Sequence, residues 1–441
     1  MAALALIATA CGGGDGDGDT AGDTTDTTDT TDTTDTTDEG EAAPSGSVSI
    51  LHSITGENEV AALQAAVDAY TEATGNEVEV EGSPDFEQVV VSRVTGGNPP
   101  DIALYPQPGL LATLADRGGV KTLDEAGVSL PAELIPGMVE TGTFGGTAYG
   151  VTVNVANKSL LWYAKDDFDA GGYTVPETWD DLVSTTDQIA SDMTEAGRAP
   201  WCAGIESGGA TGWVATDWIE DLMLRLHGPD VYDQWVSHEL PFDSPEVREA
   251  FEMLEEIWFN EDYVVGGTTG ILQTPFIDTV QPMFQDPPGC LLHRQAGFIE
   301  GEFDGELGTD YDVAYLPPVD ESVGSPVLFA GNLAAIHTDN PVAAHFVEFL
   351  LSAEGQAAWH GHEGSGNLSV RSDFDASVYP TESLARQGEI LATADFARFD
   401  ASDLMPGAVG AGAFWSESVA WISGSQDLDT TLTNIDAAWP S

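Results

Sequence analysis

The spacing of apolar residues between positions 48 and 80 constrains the fold more than any other feature of the chain. A short apolar run at 48–51 predicts a strand and is followed by a polar turn. Apolar residues then recur at helical spacing up to Gly75, and Val78 and Val80 alternate with glutamates as in a strand. This strand–helix–strand order favours an α/β fold with a parallel sheet and right-handed crossovers. The helical positions are Val60, Leu63, Val67 and Tyr70.

The same alternation continues along the chain. Strands are predicted at 101–105, in the first half of 149–165, and at 311–316; helices are predicted at 180–193, 217–226, 244–260 and 341–359. In open α/β sheets, ligands bind beyond the carboxyl ends of the strands. The turns after Leu51 and Leu104 are therefore predicted walls of a binding site.

Residues 12–47 form a segment of different composition. Five copies of Thr-Thr-Asp occupy 24–38, and such a segment buries no apolar surface while its charges repel, so it predicts a disordered acidic linker. Without this linker and a short leader, about 395 residues remain, which suits two lobes better than one core.

Cys11 ends an apolar run at 4–10 and precedes the glycine- and aspartate-rich start of the linker. Small residues before such a cysteine indicate a lipoprotein signal peptide over 1–11, with Cys11 lipidated after cleavage. The alternative is a chance cysteine after an apolar N-terminus. No second long apolar run occurs, so we expect an extracytoplasmic domain that meets the membrane only through its lipid anchor.

The charge balance is strongly acidic. Twelve Lys and Arg face 75 Asp and Glu, a formal net charge of −63, and nine Asp and two Glu of the linker account for only a small part of it. We interpret the acidity as adaptation to a salty medium, where screening removes the self-repulsion. Nucleic-acid binding is not expected, because no basic patch could release counterions.

Cysteine and histidine positions give little evidence of a metal. Besides Cys11, the even pair Cys202 and Cys290 allows a disulfide in an oxidising compartment, or two buried thiols. The acidic stretch 15–19 resembles a calcium loop but has Thr20 where a glycine is required. The eight histidines show no ligand spacing, so neither a metal nor a cofactor is predicted.

Several segments together resemble the extracellular solute-binding proteins of carbohydrate ABC importers, most closely their α-glucoside-binding branch. The likeness covers nearly all of 48–440, which makes it more specific than any one motif. The segments that carry it are 97–102, 149–151, 200–207, 213–223 and 286–290.

The resemblance implies a type II periplasmic-binding-protein-like clamp, similar to maltose-binding protein, with a ligand cleft between two lobes. Lobe one would comprise 48–152 plus 316–352, and lobe two 153–315 plus 353–441, with crossings near Val153 and Tyr315. Hinge closure would trap a carbohydrate for delivery to membrane permease subunits. We expect a monomer.

The resemblance also implies a set of sugar-binding side chains. Sugars need polar groups for their hydroxyls and aromatic rings for their C–H faces. Trp415 falls where the family stacks a tryptophan on a glucose ring, and Asn154 falls where the family has a carboxylate. The full set is Ser53, Thr55, Glu57, Asn58, Tyr105, Gln107, Asn154, Glu206, Ser207, Trp213, Arg294 and Trp415.

Two other functions are alternatives to a binding protein. A glycoside hydrolase needs two placed carboxylates, but among 75 acidic residues a candidate pair carries no information. Motifs of serine hydrolases, P-loop proteins and zinc proteases are absent from the sequence, so an enzyme is not expected. A structural or partner-binding surface lipoprotein is the other alternative.

Overall fold

The computed structural model describes residues 43–193 and 197–440. The predicted lipidation site Cys11 and the Thr-Thr-Asp repeat lie outside the described residues. Regular structure begins at Ser47, one residue earlier than predicted. The segment before it is fixed by Asn76, whose side chain accepts a hydrogen bond from the Gly46 N–H at 2.9 Å and donates to the Pro44 carbonyl at 3.1 Å.

Fourteen strands are found in the described residues: β1 (Ser47–His52), β2 (Glu77–Gly82), β3 (Ile102–Tyr105), β4 (Thr143–Phe144), β5 (Thr147–Ala148), β6 (Gly150–Thr152), β7 (Ala156–Asn157), β8 (Leu160–Ala164), β9 (Trp201–Cys202), β10 (Leu292–Arg294), β11 (Tyr311–Tyr315), β12 (Pro326–Ala330), β13 (Leu333–Ile336) and β14 (Phe396–Phe399).

The same part of the chain forms fifteen α-helices: α1 (Glu57–Thr74), α2 (Phe86–Thr95), α3 (Pro108–Asp116), α4 (Leu123–Ala126), α5 (Lys165–Gly171), α6 (Trp179–Asp192), α7 (Trp213–Val236), α8 (Pro245–Trp258), α9 (Gly267–Gln273), α10 (Pro341–Leu351), α11 (Ala353–His360), α12 (Glu382–Thr393), α13 (Ala401–Leu404), α14 (Trp415–Ile422) and α15 (Leu428–Ala437). None of these helices is long and apolar enough to cross a membrane.

The first sheet has five strands in the order β2-β1-β3-β13-β6. β1 is parallel to both β2 and β3, which confirms the predicted parallel opening. Gly75 ends α1 in the left-handed conformation (φ 75°), as its position predicted. Alternate strand residues face opposite layers: Ile50 packs with α1 and α10, and Leu51 packs with α2 and α3.

The second sheet has four strands in the order β11-β8-β10-β9 and belongs to a separate core. β8 is buried along its whole length and pairs antiparallel with β10 and β11. A disulfide joins Cys202 of β9 to Cys290, two residues before β10, with their Cα atoms 5.5 Å apart. The disulfide alternative for these cysteines is thus confirmed.

A third sheet, in the order β14-β12-β7, pairs two strands that follow the predicted crossings. β7, just after Val153, pairs antiparallel with β12, which follows Tyr315. The residue bounds of the lobes remain a prediction. The segment after residue 352 first packs with the first sheet's core, because α11 lies against α1 and buries Trp359 there.

Two predicted helices have different bounds in the structure. The prediction of a single helix at 341–359 is wrong, because Ser352 is extended (φ −72°, ψ 162°) and separates α10 from α11. The Ser352 hydroxyl accepts the Gly355 N–H at 3.0 Å, so a new helix starts there. The helix predicted at 217–226 is longer, and it bends at Gly228, whose φ of 76° favours glycine.

Candidate ligand cleft

A cleft lies at the carboxyl ends of β1, β2 and β3. One wall comes from the turns after β1 and β3 and from the starts of α1 and α2. The opposite wall comes from the segment leading into α7, from α13 and from the start of α14. Both turns that the sequence predicted as site walls therefore line the cleft.

Half of the predicted ligand-binding residues line this cleft. Gln107 is 4% exposed and donates its Nε2 hydrogen to Glu87 Oε1 at 3.0 Å, while its Oε1 has no partner in the described chain. Trp415 is also 4% exposed, and its indole N–H is likewise unpaired among the described residues. The six predicted residues in the lining are Ser53, Thr55, Gln107, Ser207, Trp213 and Trp415.

Two predicted residues are turned into the protein instead. Tyr105 is the last residue of β3, lies in the core against Phe86, and pairs its hydroxyl with His337 Nε2 at 3.0 Å. Arg294 is buried beneath α7, where its Nη2 donates to Asp221 Oδ2 at 2.9 Å. Neither side chain is part of the cleft lining.

The remaining four lie near the cleft without lining it. Glu57 and Asn58 begin α1 and are exposed, and Asn58 donates to the Gly301 carbonyl. Glu206 accepts the Gly208 N–H at 2.9 Å. Asn154 is buried, and its Oδ1 accepts the Asn332 N–H at 2.8 Å, so it acts on the cleft by fixing a residue that lines it.

A buried ion-pair network forms the cleft floor and was not predicted. Lys158 Nζ lies 2.8 Å from Asp217 Oδ1 and 2.6 Å from Asp400 Oδ2. Burial by itself lowers the pKa of Lys158, but the two carboxylates outweigh it and raise that pKa above its usual value. The network continues through Asp221, which binds both Arg294 and Arg225. The floor is therefore charged but internally paired.

The carboxyl groups of this floor titrate differently. Burial opposes ionisation of Asp400, but the Lys158 ammonium and hydrogen bonds lower its pKa to about 2. Burial raises the pKa of Asp217 to about 7, although the charge of Lys158 acts to lower it. Burial also raises the pKa of Glu220, and the negative charge of Asp400 raises it further. Glu220 binds the N–H groups of Ala401 and Ser402 and so positions α13.

Oxygens of Asp217, Glu220 and Asp400 lie within 4.8 Å of one another, close enough to share a cation. Lys158 already contacts two of the three and supplies the positive charge that an ion would bring. We therefore interpret this group as an ion-pair network rather than as a metal site.

Three further carboxyl groups line the cleft and form no ion pair with a described residue: Glu59, Glu87 and Asp403. Burial raises the pKa of Glu59 to about 7 even though Asn367 Nδ2 donates to it at 2.9 Å. Burial also raises the pKa of Glu87 and of Asp403. Nothing in the sequence singles these three out among 75 acidic residues.

Aromatic rings complete the cleft. Trp213 packs edge-on against Phe276 with ring centroids 5.1 Å apart, and Phe298 adjoins both rings. Lys158 Nζ lies 5.4 Å from the centroid of the Trp213 ring, which holds that ring beside the charged floor. Apolar faces thus stand next to hydrogen-bond acceptors, an arrangement that binds small polar solutes with apolar faces.

The two sheets, their separate cores and the cleft lined by the turns and helices around them are typical of a solute-binding protein of the periplasmic-binding-protein type. The family model for bacterial extracellular solute-binding proteins matches residues 65–388, and the chain belongs to that family. Members of the family are substrate-binding proteins of ABC transporters and not enzymes, so this chain acts outside the cytoplasm as such a binding protein.

Full-length relatives agree with this assignment. The chain is 41% identical over 401 residues to the alpha-glucosides-binding periplasmic protein AglE of Rhizobium meliloti, covering 88% of this chain and 85% of that protein. It is 40% identical over 402 residues to the osmoprotective compounds-binding protein GgtB of Synechocystis sp., covering 89% of this chain and 92% of that protein.

A solved structure supports the fold. The crystal structure of the bacterial solute receptor AcbH superposes with a TM-score of 0.73 at 16% sequence identity, over 89% of this chain and 97% of that chain. At this identity the match supports the fold only, and it confirms the predicted two-lobed class.

Proposed function

We propose that this protein captures an α-glucoside in the cleft and delivers it to the permease of an ABC sugar importer. The observation that carries the proposal is the 41% identity, over most of both chains, to a protein named for binding alpha-glucosides. The chemistry of the cleft supports it, because rings and acceptors alternate there as a sugar requires.

The lining residues provide each kind of contact that a glucosyl ring needs. Trp415 and Trp213 supply aromatic faces for the C–H groups of the ring. Gln107 Oε1 accepts from a sugar hydroxyl, and the Trp415 indole N–H donates to a sugar oxygen. Because both atoms are buried and unpaired in the described chain, a bound ligand would offset their desolvation cost.

Capture would proceed by closure about the crossings near Val153 and Tyr315. A contact across the cleft supports this idea, since Asp85, before α2, accepts the Gly209 N–H of the facing wall at 3.1 Å. We further propose that the protein is a monomer held at the outer face of the membrane through lipidated Cys11. The acidic linker would let the domain reach solute and permease alike.

A second candidate ligand class follows from the relative named for osmoprotective compounds. Such solutes are small, polar and commonly neutral overall, so a cleft of rings and acceptors would also suit them. The two candidates differ in the ligand and not in the mode of capture.

Isothermal titration calorimetry with a panel of solutes tests the proposal. The panel contains maltose, trehalose, sucrose, galactose and glycine betaine, each titrated into the full chain in high salt. We expect binding of at least one α-glucoside more tightly than of galactose or glycine betaine. Binding of glycine betaine alone would favour the second candidate, and binding of no carbohydrate would refute the first.

A further inference from the structure

The cleft carries an excess of carboxyl groups that its one cation does not balance. Of the titratable side chains in the lining, five are carboxyl groups and one is a lysine. Lys158 is already shared by Asp217 and Asp400. None of Glu59, Glu87 and Asp403 forms an ion pair with a described residue, although the positive charge of Lys158 partly offsets the effect of burial on Asp403.

Asp403 stands out among these carboxyl groups. It is 6% exposed and lines the cleft, yet its side-chain oxygens accept no hydrogen bond and join no ion pair within the described ranges. Its backbone N–H donates to Asp400 Oδ1 at 2.9 Å, which fixes the residue at the start of α13. A buried carboxyl group without partners is costly unless a ligand supplies them.

Glu87 faces Asp403 from the other wall. It lies in the first turn of α2, where one carboxyl oxygen accepts the Gln107 Nε2 hydrogen at 3.0 Å. Gln107 lines the same space, and its Oε1 remains buried and unpaired in the described chain. Carboxyl groups thus line the cleft from both walls, and a solute that brings donors suits the space between them.

We propose that Asp403 and Glu87 form an acceptor pair across the cleft that selects the ligand by charge. Neutral polyhydroxylated or amino-bearing sugars are accepted, and sugar phosphates and sugar acids are rejected. Hydroxyl and ammonium groups donate to both carboxyl groups and so stabilise their ionised form, which burial alone opposes. An anionic substituent offers no such donor and is repelled by the ionised form at short range in a water-poor site. This inference rests on the proposed function, because it assumes that the cleft binds a sugar.

Calorimetric titration of the full chain at fixed ionic strength tests this selection. The probes are trehalose, trehalose 6-phosphate and 6-amino-6-deoxytrehalose, with maltose and its 6′-substituted counterparts in parallel. The amino sugar controls for the effect of substitution at this position. We expect the neutral and amino sugars to bind at least about 100-fold more tightly than the phosphate.

Two variants assign the effect to the acceptor pair. Asp403→Asn and Glu87→Gln should each lower the preference for the neutral sugar over the phosphate by about 10-fold or more. Glu79→Gln is the matched control, since it removes the same charge from an exposed position of β2 and should leave the preference unchanged. If Asp403→Asn does not fold, Glu87→Gln alone carries the test.

The outcomes separate this inference from the proposed function. Equal binding of the neutral sugar and the phosphate would overturn charge selection while leaving sugar binding intact. Equal exclusion of amino and phosphate sugars would indicate selection by size and would also overturn charge selection. Variants that weaken the binding of all probes alike would overturn it too. If none of the neutral sugars binds, the proposed function fails and this inference fails with it.

Discussion

Trp415 begins α14 and lines the cleft with almost all of its surface buried and its indole N–H unpaired in the described chain. We expect Trp415→Ala to weaken glucoside binding by about 10- to 100-fold, because it removes both the stacking face and the donor. Trp415→Phe keeps an aromatic ring without the N–H, so it should weaken glucoside binding less than Trp415→Ala does. Kd values from calorimetry measure both, and an unchanged Kd for the alanine variant would refute the stacking role.

Lys158 is the cation of the buried floor. Lys158→Met keeps the aliphatic bulk but leaves Asp217 and Asp400 facing each other, so we expect the free energy of unfolding to fall by about 3 kcal/mol. Lys165→Met is the control, because Lys165 forms an exposed pair with Asp169 and should matter little. Denaturant unfolding measures both variants, and equal small losses would show that the floor does not depend on Lys158.

Single residues show where sequence reasoning reaches its limit. Tyr105 and Gln107 were predicted together from one turn, yet Tyr105 faces the core and Gln107 the cleft. The sequence places a turn but not the direction in which each of its side chains points. Lys158 could have been noticed because the chain has only three lysines, whereas nothing distinguishes Asp403 from the rest of the 75 acidic residues.

At the scale of elements, the disulfide ties β9 to the segment before β10 across 88 residues of sequence. The double variant Cys202→Ala/Cys290→Ala should lose about 2–5 kcal/mol of unfolding free energy, because the reduced chain gains conformational freedom when unfolded. Guanidinium unfolding with and without reductant measures the loss. The wild type in reductant should match the variant, and a variant as stable as the oxidised wild type would contradict the expectation.

Elements with a strong period were predictable and their interruptions were not. α1 ends at the predicted Gly75, and the parallel opening of the first sheet follows from its strand–helix–strand pattern. The break at Ser352 escaped prediction, because the apolar spacing continues across it while the hydroxyl caps a new helix. Packing of α11 against α1 then decides the direction of the chain, and this long-range contact leaves no local trace in the sequence.

At the scale of the whole molecule, the net charge of −63 leads us to expect a stability that depends on salt. We expect the Tm to rise when KCl increases from about 0.1 M to about 2 M, since the Debye length falls from about 10 Å to below about 3 Å. If screening causes the rise in Tm, most of it should occur at KCl concentrations below about 1 M. Differential scanning calorimetry measures the effect, and a flat or falling Tm would contradict adaptation to salt.

The central claim, that this cleft holds a glucoside, is tested most directly by a crystal structure of the protein with the α-glucoside that binds most tightly. We predict a glucosyl ring stacked on Trp415, with one hydroxyl within hydrogen-bonding distance of Gln107 Oε1 and another within reach of the Asp403 carboxyl group. A sugar bound elsewhere on the surface, or an empty cleft at saturating ligand, would contradict the account.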